Sequence, residues 1–178
     1  GLLITDLQGM HSGLDPISGN FSLQAKGFVI ENGVLTKYVG TGGKVIVPEG
    51  ITKIGKDAFW RCKSLKEVRL PAGLKVIEDG TFAYCEKLTD IKIPHSVEKI
   101  RSGAFSNCHA LKEIVIPDSV KEIGFHAFYG CGFTGDLIIP DSVTELGQWA
   151  FANCDGLNGK LQLSKNIKII LRLYPIHC

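Results

Sequence analysis

The chain has 178 residues, 44% apolar and 21% charged, with a net charge of +2. That size and balance fit one soluble globular unit and exclude a disordered or fibrous chain. Twenty basic side chains against eighteen acidic ones make no overall field that draws nucleic acid or an anionic membrane, and no apolar run approaches the roughly 18 residues of a membrane span. At the start, Gly1-Leu2-Leu3-Ile4-Thr5 has neither the basic region nor the long apolar stretch of a secretion signal. If the parent protein is exported, its signal is expected outside this chain. Residues 1–26 read as a leader of undefined role. Residues 27–47 read as a cap of short antiparallel strands, because Asn32-Gly33 and Gly42-Gly43 are tight-turn dipeptides between apolar runs.

From there the chain repeats itself. Pro48, Pro71, Pro94, Pro117 and Pro140 are spaced 23 residues apart, and Ser164 takes the next slot after 24. The third and sixth residues after each are aliphatic: Ile51 and Ile54, Leu74 and Ile77, Val97 and Ile100, Val120 and Ile123, Val143 and Leu146, Ile167 and Ile170. The eleventh is Phe59, Phe82, Phe105, Phe128 and Phe151, each behind a small residue. The fourteenth is Cys62, Cys85, Cys108, Cys131, Cys154 and Cys178. Just before the next slot come alternating pairs, Val68/Leu70, Ile91/Ile93, Ile114/Ile116, Leu137/Ile139 and Leu161/Leu163.

The alternation predicts a short strand that the proline ends. The Val-x-x-Ile piece predicts a second extended segment, and Ala-Phe-x-x-Cys predicts a single helical turn pressed on the core. One repeat cannot bury its own apolar face, whereas stacked repeats can, with parallel strands about 4.8 Å apart. The expected fold is an α/β-type repeat solenoid, right-handed and of the leucine-rich kind, with five repeats over 48–163. Residues 164–178 read as an atypical last repeat, in which Tyr174-Pro175 replaces the small residue and phenylalanine.

An even cysteine count first suggests a disulfide framework. Here each cysteine falls at one position of the repeat, so the six are expected as an inward column of small apolar side chains with weak S–H donors. Side chains on adjacent rungs point the same way, which does not suit the disulfide dihedral. A line of thiols without a C-x-x-C does not converge on a metal either. Cys178, in the atypical repeat, is the expected reactive thiol.

Leu65-Lys66-Glu67-Val68-Arg69-Leu70-Pro71, with the Ile-Gly-x-x-Ala-Phe-x-x-Cys pattern, resembles the BspA-type (Treponema-type) leucine-rich repeat family over about residues 28–170. The resemblance implies a curved solenoid displayed on bacterial or protist surfaces, commonly for adhesion, and no enzyme. The stretch from Gly27 to Pro48 resembles the hairpin cap that often opens such arrays. A second resemblance covers residues 1–33. Gly1-Leu2-Leu3-Ile4-Thr5-Asp6-Leu7-Gln8-Gly9, Pro16-Ile17-Ser18-Gly19-Asn20-Phe21-Ser22 and Gly27-Phe28-Val29-Ile30-Glu31-Asn32-Gly33 are similar to a piece of the C-terminal domain of the TldD/PmbA metalloprotease family. The metal-binding helix that carries that activity is not in the fragment, so no catalytic role transfers. The segment reads as a fusion or recombination scar, or as a glycine-rich leader to the cap.

His11, His95, His109, His126 and His177 occupy different repeat positions and form no catalytic or metal-binding pattern, so solvated surface histidines are expected. Gly40-Thr41-Gly42-Gly43 lacks the Gly-Lys-Ser/Thr ending of a phosphate loop. No enzyme activity, cofactor, metal, nucleic-acid partner or membrane insertion is expected.

Recognition is left to the surface. On the strand before each proline the outward positions form two columns, Arg69, Lys92, Val115, Ile138, Gln162 and Glu67, Asp90, Glu113, Asp136, Lys160. The first turns from basic to apolar at Val115 and Ile138, which sheet packing does not require. The second sets four carboxylates in a row. Glu113, Val115, Asp136 and Ile138 are therefore the candidate ligand-binding residues, facing a protein or glycan. Trp60, Phe125, Tyr129 and Trp149 stand where sister repeats carry Lys, Asp, Ser, Gly or Ala, and form a second candidate set. The expected function is non-catalytic binding, for adhesion or host recognition at a cell surface or after secretion. The alternative is a structural spacer or cytoplasmic scaffold, which six unpaired cysteines would favour.

Overall fold

The computed structural model describes residues 22–25, 27–31 and 33–170. The readings placed on the first 21 residues, His177, Tyr174-Pro175 and Cys178 lie outside the described residues. Strands are numbered in chain order. β1 (Ser22–Ala25), β2 (Phe28–Glu31) and β3 (Val34–Tyr38) form an antiparallel meander, and β3 then pairs in parallel with β5 (Lys53–Ile54) of the first repeat. Gly33, at the turn between β2 and β3, has a φ of 75°, as the Asn-Gly turn requires.

Each repeat then adds one rung to a parallel stack. The first sheet collects the strands that precede the prolines: β4 (Lys44–Ile46), β6 (Glu67–Arg69) and β8 (Asp90–Lys92), then, as a separate pair, β11 (Leu137–Ile138) and β13 (Leu161–Gln162). The second sheet collects the Val-x-x-Ile pieces. It comprises β7 (Val76–Ile77), β9 (Lys99–Ile100), β10 (Glu122–Ile123), β12 (Glu145–Leu146) and β14 (Ile169–Ile170), all parallel. Registers advance by one repeat throughout, as in Glu67↔Asp90 and Lys99↔Glu122. This is a β-solenoid of the leucine-rich repeat kind with turns of about 23 residues.

The aliphatic columns of both sheets and the phenylalanine column meet in one continuous core. Tyr38 of β3 opens an aromatic stack that runs through Phe59, Phe82, Phe105 and Phe128 to Phe151, with successive ring centroids 5.0–5.3 Å apart. The cap therefore extends the core as well as covering it. Each such ring adds on the order of 0.5–1.5 kcal/mol per stacked neighbour beyond its area. Leu161 and Leu163 depart from the expected inward pairing: they are 61% and 45% exposed, because among the described residues no further rung lies over them.

The expected helical turns are not present; among the described residues no helix forms. The reason lies in where the amides point. Ala58, Trp60 and Cys62 donate to carbonyls three residues back, but Asp57, Phe59 and Arg61 between them donate to Asp79, Thr81 and Ala83 on the next rung, at 2.9–3.0 Å. The same alternation recurs at Gly80, Phe82 and Tyr84, at Gly103, Phe105 and Asn107, and at His126, Phe128 and Gly130. Half of the donors a helix needs are thus spent between rungs. Two residues per turn also take positive φ. Asp57, Gly80, Gly103, His126 and Trp149 form one such column, and Arg61, Tyr84, Asn107, Gly130 and Asn153 the other. A left-handed residue every fourth position stops a helix before it starts.

The cysteines face the core beside the rings. Cys85, Cys108, Cys131 and Cys154 are buried and Cys62 is half-buried, and all five are free thiols. The four buried thiols donate to the carbonyls of Phe59, Phe82, Phe105 and Phe128 on the preceding rung at 3.1–3.2 Å.

Candidate binding surface

The outward positions of the first sheet fall into two regions of different electrostatics. Toward the cap, charges alternate between rungs. Lys44 meets Glu67 at 2.8 Å, and Arg69 reaches the same carboxylate at 3.5 Å. The hydrogen bond from Lys44 and the nearby Arg69 hold the Glu67 carboxyl below its ordinary range. Farther along, Asp136 accepts the backbone amide of Lys160 at 2.7 Å, and Glu113 forms no ion pair among the described residues. Val115 is 81% exposed and Ile138 is 54% exposed, at the repeat position where Arg69 and Lys92 stand earlier. The structure therefore brings Glu113, Val115, Asp136 and Ile138 onto neighbouring rungs of one face.

That face also contains an irregularity the repeat did not announce. Glu113–Val115 was expected as a strand between β8 and β11, yet it joins neither sheet. Where the ladder is regular, the Lys66 carbonyl accepts the amides of Thr89 and Asp90 at 2.8 and 3.1 Å. No corresponding bond joins Thr89–Lys92 to Lys112–Val115, and on the far side only the Lys112 carbonyl is engaged, by Thr134 at 2.9 Å. The segment is left without backbone pairing on the β8 side. Ile114 is accordingly only half-buried, unlike Val68, Ile91 and Leu137 at the same position. In the following repeat, still 23 residues long, the apolar position shifts by one: Phe133 comes two residues after Cys131, whereas Leu111 comes three after Cys108. In sequence that one-residue shift was the visible sign of a disturbed register.

The second candidate set lies on the turn edge, apart from this sheet. Trp60, Phe125 and Trp149 are exposed and Tyr129 is half-buried. They do not form one patch. Arg61 lies over the Trp60 ring at 4.4 Å and also over Tyr84 at 5.4 Å, making a cation–π group near the cap. Phe125, His126 and Tyr129 stack farther along, with centroids 3.8 and 4.6 Å apart, and Asn153 donates to the Tyr129 hydroxyl at 2.6 Å. Two corrections follow. Tyr84 is an exposed aromatic that the column comparison passed over, although it replaces Arg61 and Asn107 at its position. His126 is not a freely solvated histidine: it is half-buried between two rings, and burial pushes its pKa down. His95 and His109 are exposed as expected.

Among the described residues, the buried thiols are poor acids. Burial pushes the Cys85 thiol up to about 12 and Cys154 to about 11, and raises Cys108 and Cys131 as well. None is a nucleophile near neutrality. Among the described residues no group of three or more His, Cys, Asp or Glu side chains converges to hold a metal ion, and no helix is long and apolar enough to cross a membrane.

The comparisons with known proteins agree with this geometry. The BspA-type leucine-rich repeat region matches residues 40–170 in six copies. The PmbA/TldA metallopeptidase C-terminal domain matches residues 1–61, overlapping the first repeat. No curated protein matches the chain. Among solved structures, a leucine-rich repeat protein from Bacteroides ovatus is similar with a TM-score of 0.64 and 31% identity, over 89% of this chain and 40% of its own. A leucine-rich repeat protein from T. pallidum is similar with a TM-score of 0.66 and 27% identity, over 90% of this chain and 84% of its own. A leucine-rich cell surface protein from Faecalibacterium prausnitzii shares the fold at a TM-score of 0.56 and 24% identity, over 89% of this chain and 56% of its own. The chain thus spans well under half the length of the Bacteroides protein. With six successive copies of the repeat matched and the stacked rungs those copies imply, the chain belongs to the BspA-type leucine-rich repeat family.

Proposed function

We propose that the array is a non-catalytic protein-binding module acting at a cell surface, and that the sheet face around Glu113, Val115, Asp136 and Ile138 is its contact. The observation that carries this reading is the exposure of Val115 and Ile138 on successive repeats, in an outward column that also holds the exposed Ile46 on the first rung, Arg69 and Lys92 between, and Gln162 at its end. A pair of apolar side chains on adjacent rungs costs free energy in water at roughly 25 cal/mol per Å² and regains it when a partner covers them. The carboxylates of Glu113 and Asp136 beside that pair favour a partner that presents basic groups around an apolar one. The surface location rests on family membership and on the cell-surface protein among the fold neighbours. The free thiols do not argue against it. Cys85, Cys108, Cys131 and Cys154, buried and raised in pKa, are shielded from oxidation in either compartment.

The test is a screen of the chain against immobilised extracellular-matrix proteins, followed by Val115→Lys and Ile138→Lys on whichever is captured. Both positions are exposed, so melting is expected to hold while affinity falls by about tenfold or more for each. A captured protein whose affinity ignores both substitutions would overturn the assignment.

A further inference from the structure

The second sheet carries a cleft that the protein-binding reading does not use. It is an open hollow of about 260 Å³ between the rungs of β10 and β12. Ser102, Glu122, Phe125, Glu145 and Gln148 line it together with Gly124 and Gly147. Two successive rungs lack a side chain at one repeat position, where the sister repeats carry Gly55, Glu78 and Arg101. The glycines are also required by close stacking. A Cβ on Gly124 would come within 2.7 Å of the Arg101 and Ser102 backbone, and one on Gly147 would strike Gly124 and Phe125. The aromatic wall is singular among the repeats. Phe125 occupies a column held elsewhere by Lys56, Asp79, Ser102 and Gln148. Its ring is 46% exposed yet fixed, because it ends the stack through His126 to Tyr129, which Asn153 anchors.

Charge narrows what the hollow accepts. Glu122 is tied to Lys99 at 2.8 Å and to Arg101 at 3.1 Å, so two carboxylates and two cations leave the surroundings neutral. Neither a metal cation nor a phosphate gains from such a site. A neutral ligand with one apolar face and a rim of hydroxyls does. Its C–H face lies on the electron-rich ring of Phe125, its hydroxyls donate to the exposed Glu145 carboxylate, and they exchange hydrogen bonds with the Gln148 amide and the Ser102 hydroxyl. The volume is below the roughly 300 Å³ where drug-sized pockets begin, which suits one ring. We propose that this cleft is a saccharide site that seats a single hexose unit of a glycan, independent of the protein-contact face on the first sheet.

The experiment is saturation-transfer NMR on the full chain with the methyl glycosides of glucose, galactose, mannose and N-acetylglucosamine, each at roughly 10 mM. Transfer to the ring C–H protons of at least one glycoside is expected. Phe125→Lys, which restores the side chain of the first repeat, and Glu145→Gln are each expected to weaken that signal by about tenfold at unchanged melting temperature. Val115→Lys is expected to leave it intact, which separates this site from the protein-contact face. No transfer from any of these glycosides to the folded chain, or transfer that survives Glu145→Gln and Phe125→Lys, overturns the proposal.

Discussion

A thiol among stacked phenylalanines is a poor acid, and here that is a statement about stability. Unfolded, a cysteine titrates near 8.5; folded, Cys85 titrates at about 12 and Cys154 at about 11, through loss of hydration. Between those values the folded chain holds more protons than the unfolded one, so raising the pH favours unfolding. The loss is on the order of 1.4 kcal/mol per buried thiol for each pH unit above the unfolded value. The melting temperature is therefore expected to be flat from pH 7 to 8, above the range where the lowered His126 acts, and to fall steeply from pH 8.5 to 10.5. In a Cys85→Ala, Cys108→Ala double variant the alkaline slope becomes shallower, and thermal scans across that range check it; an unchanged slope would contradict the burial. The thiol positions were legible in sequence because every cysteine shares one repeat position. The left-handed positions were not. Asp57, Arg61, Tyr84 and Trp149 share their columns with Gly80, Gly103 and Gly130, so residue type does not mark the backbone demand.

At the scale of the element, the strand columns were readable and the turn segment was not. A small residue, a phenylalanine and a cysteine three positions later suit a helical turn, but they suit equally a run of turns that faces the core. Only the amides decide, and those belong to the neighbouring rung. The lost strand at Glu113–Val115 follows the same logic, since pairing depends on the register of adjacent rungs, of which the altered Cys131–Phe133 spacing was the only visible trace. Its amides lack backbone partners while those of Phe82, Phe105 and Phe128 each reach the next rung at 2.7–2.8 Å. Native-state hydrogen exchange is expected to proceed at Glu113, Ile114 and Val115 orders of magnitude faster than at those three phenylalanines. Comparable protection in the two groups would mean the ladder is intact there.

At the scale of the whole molecule, each rung touches only its neighbours, so stability accumulates along one dimension and the surfaces remain open to solvent. Such a stack tolerates a local fault without collapse, because the aromatic column continues past the broken strand from Phe105 to Phe128 at 5.2 Å. The fault and the apolar pair coincide, and this coincidence makes the sheet face the centre of the functional reading. Repeat comparison named those residues in advance; the unpaired backbone beside them became visible only in three dimensions. Hydrogen exchange of the chain alone and bound to a protein captured in the proposed screen tests that reading most directly. The account predicts that binding slows exchange at 113–116 and 136–138 and leaves the turn edge at Trp60 and Tyr84 unchanged. Protection confined to the turn edge, with 113–116 still exchanging freely, would contradict it.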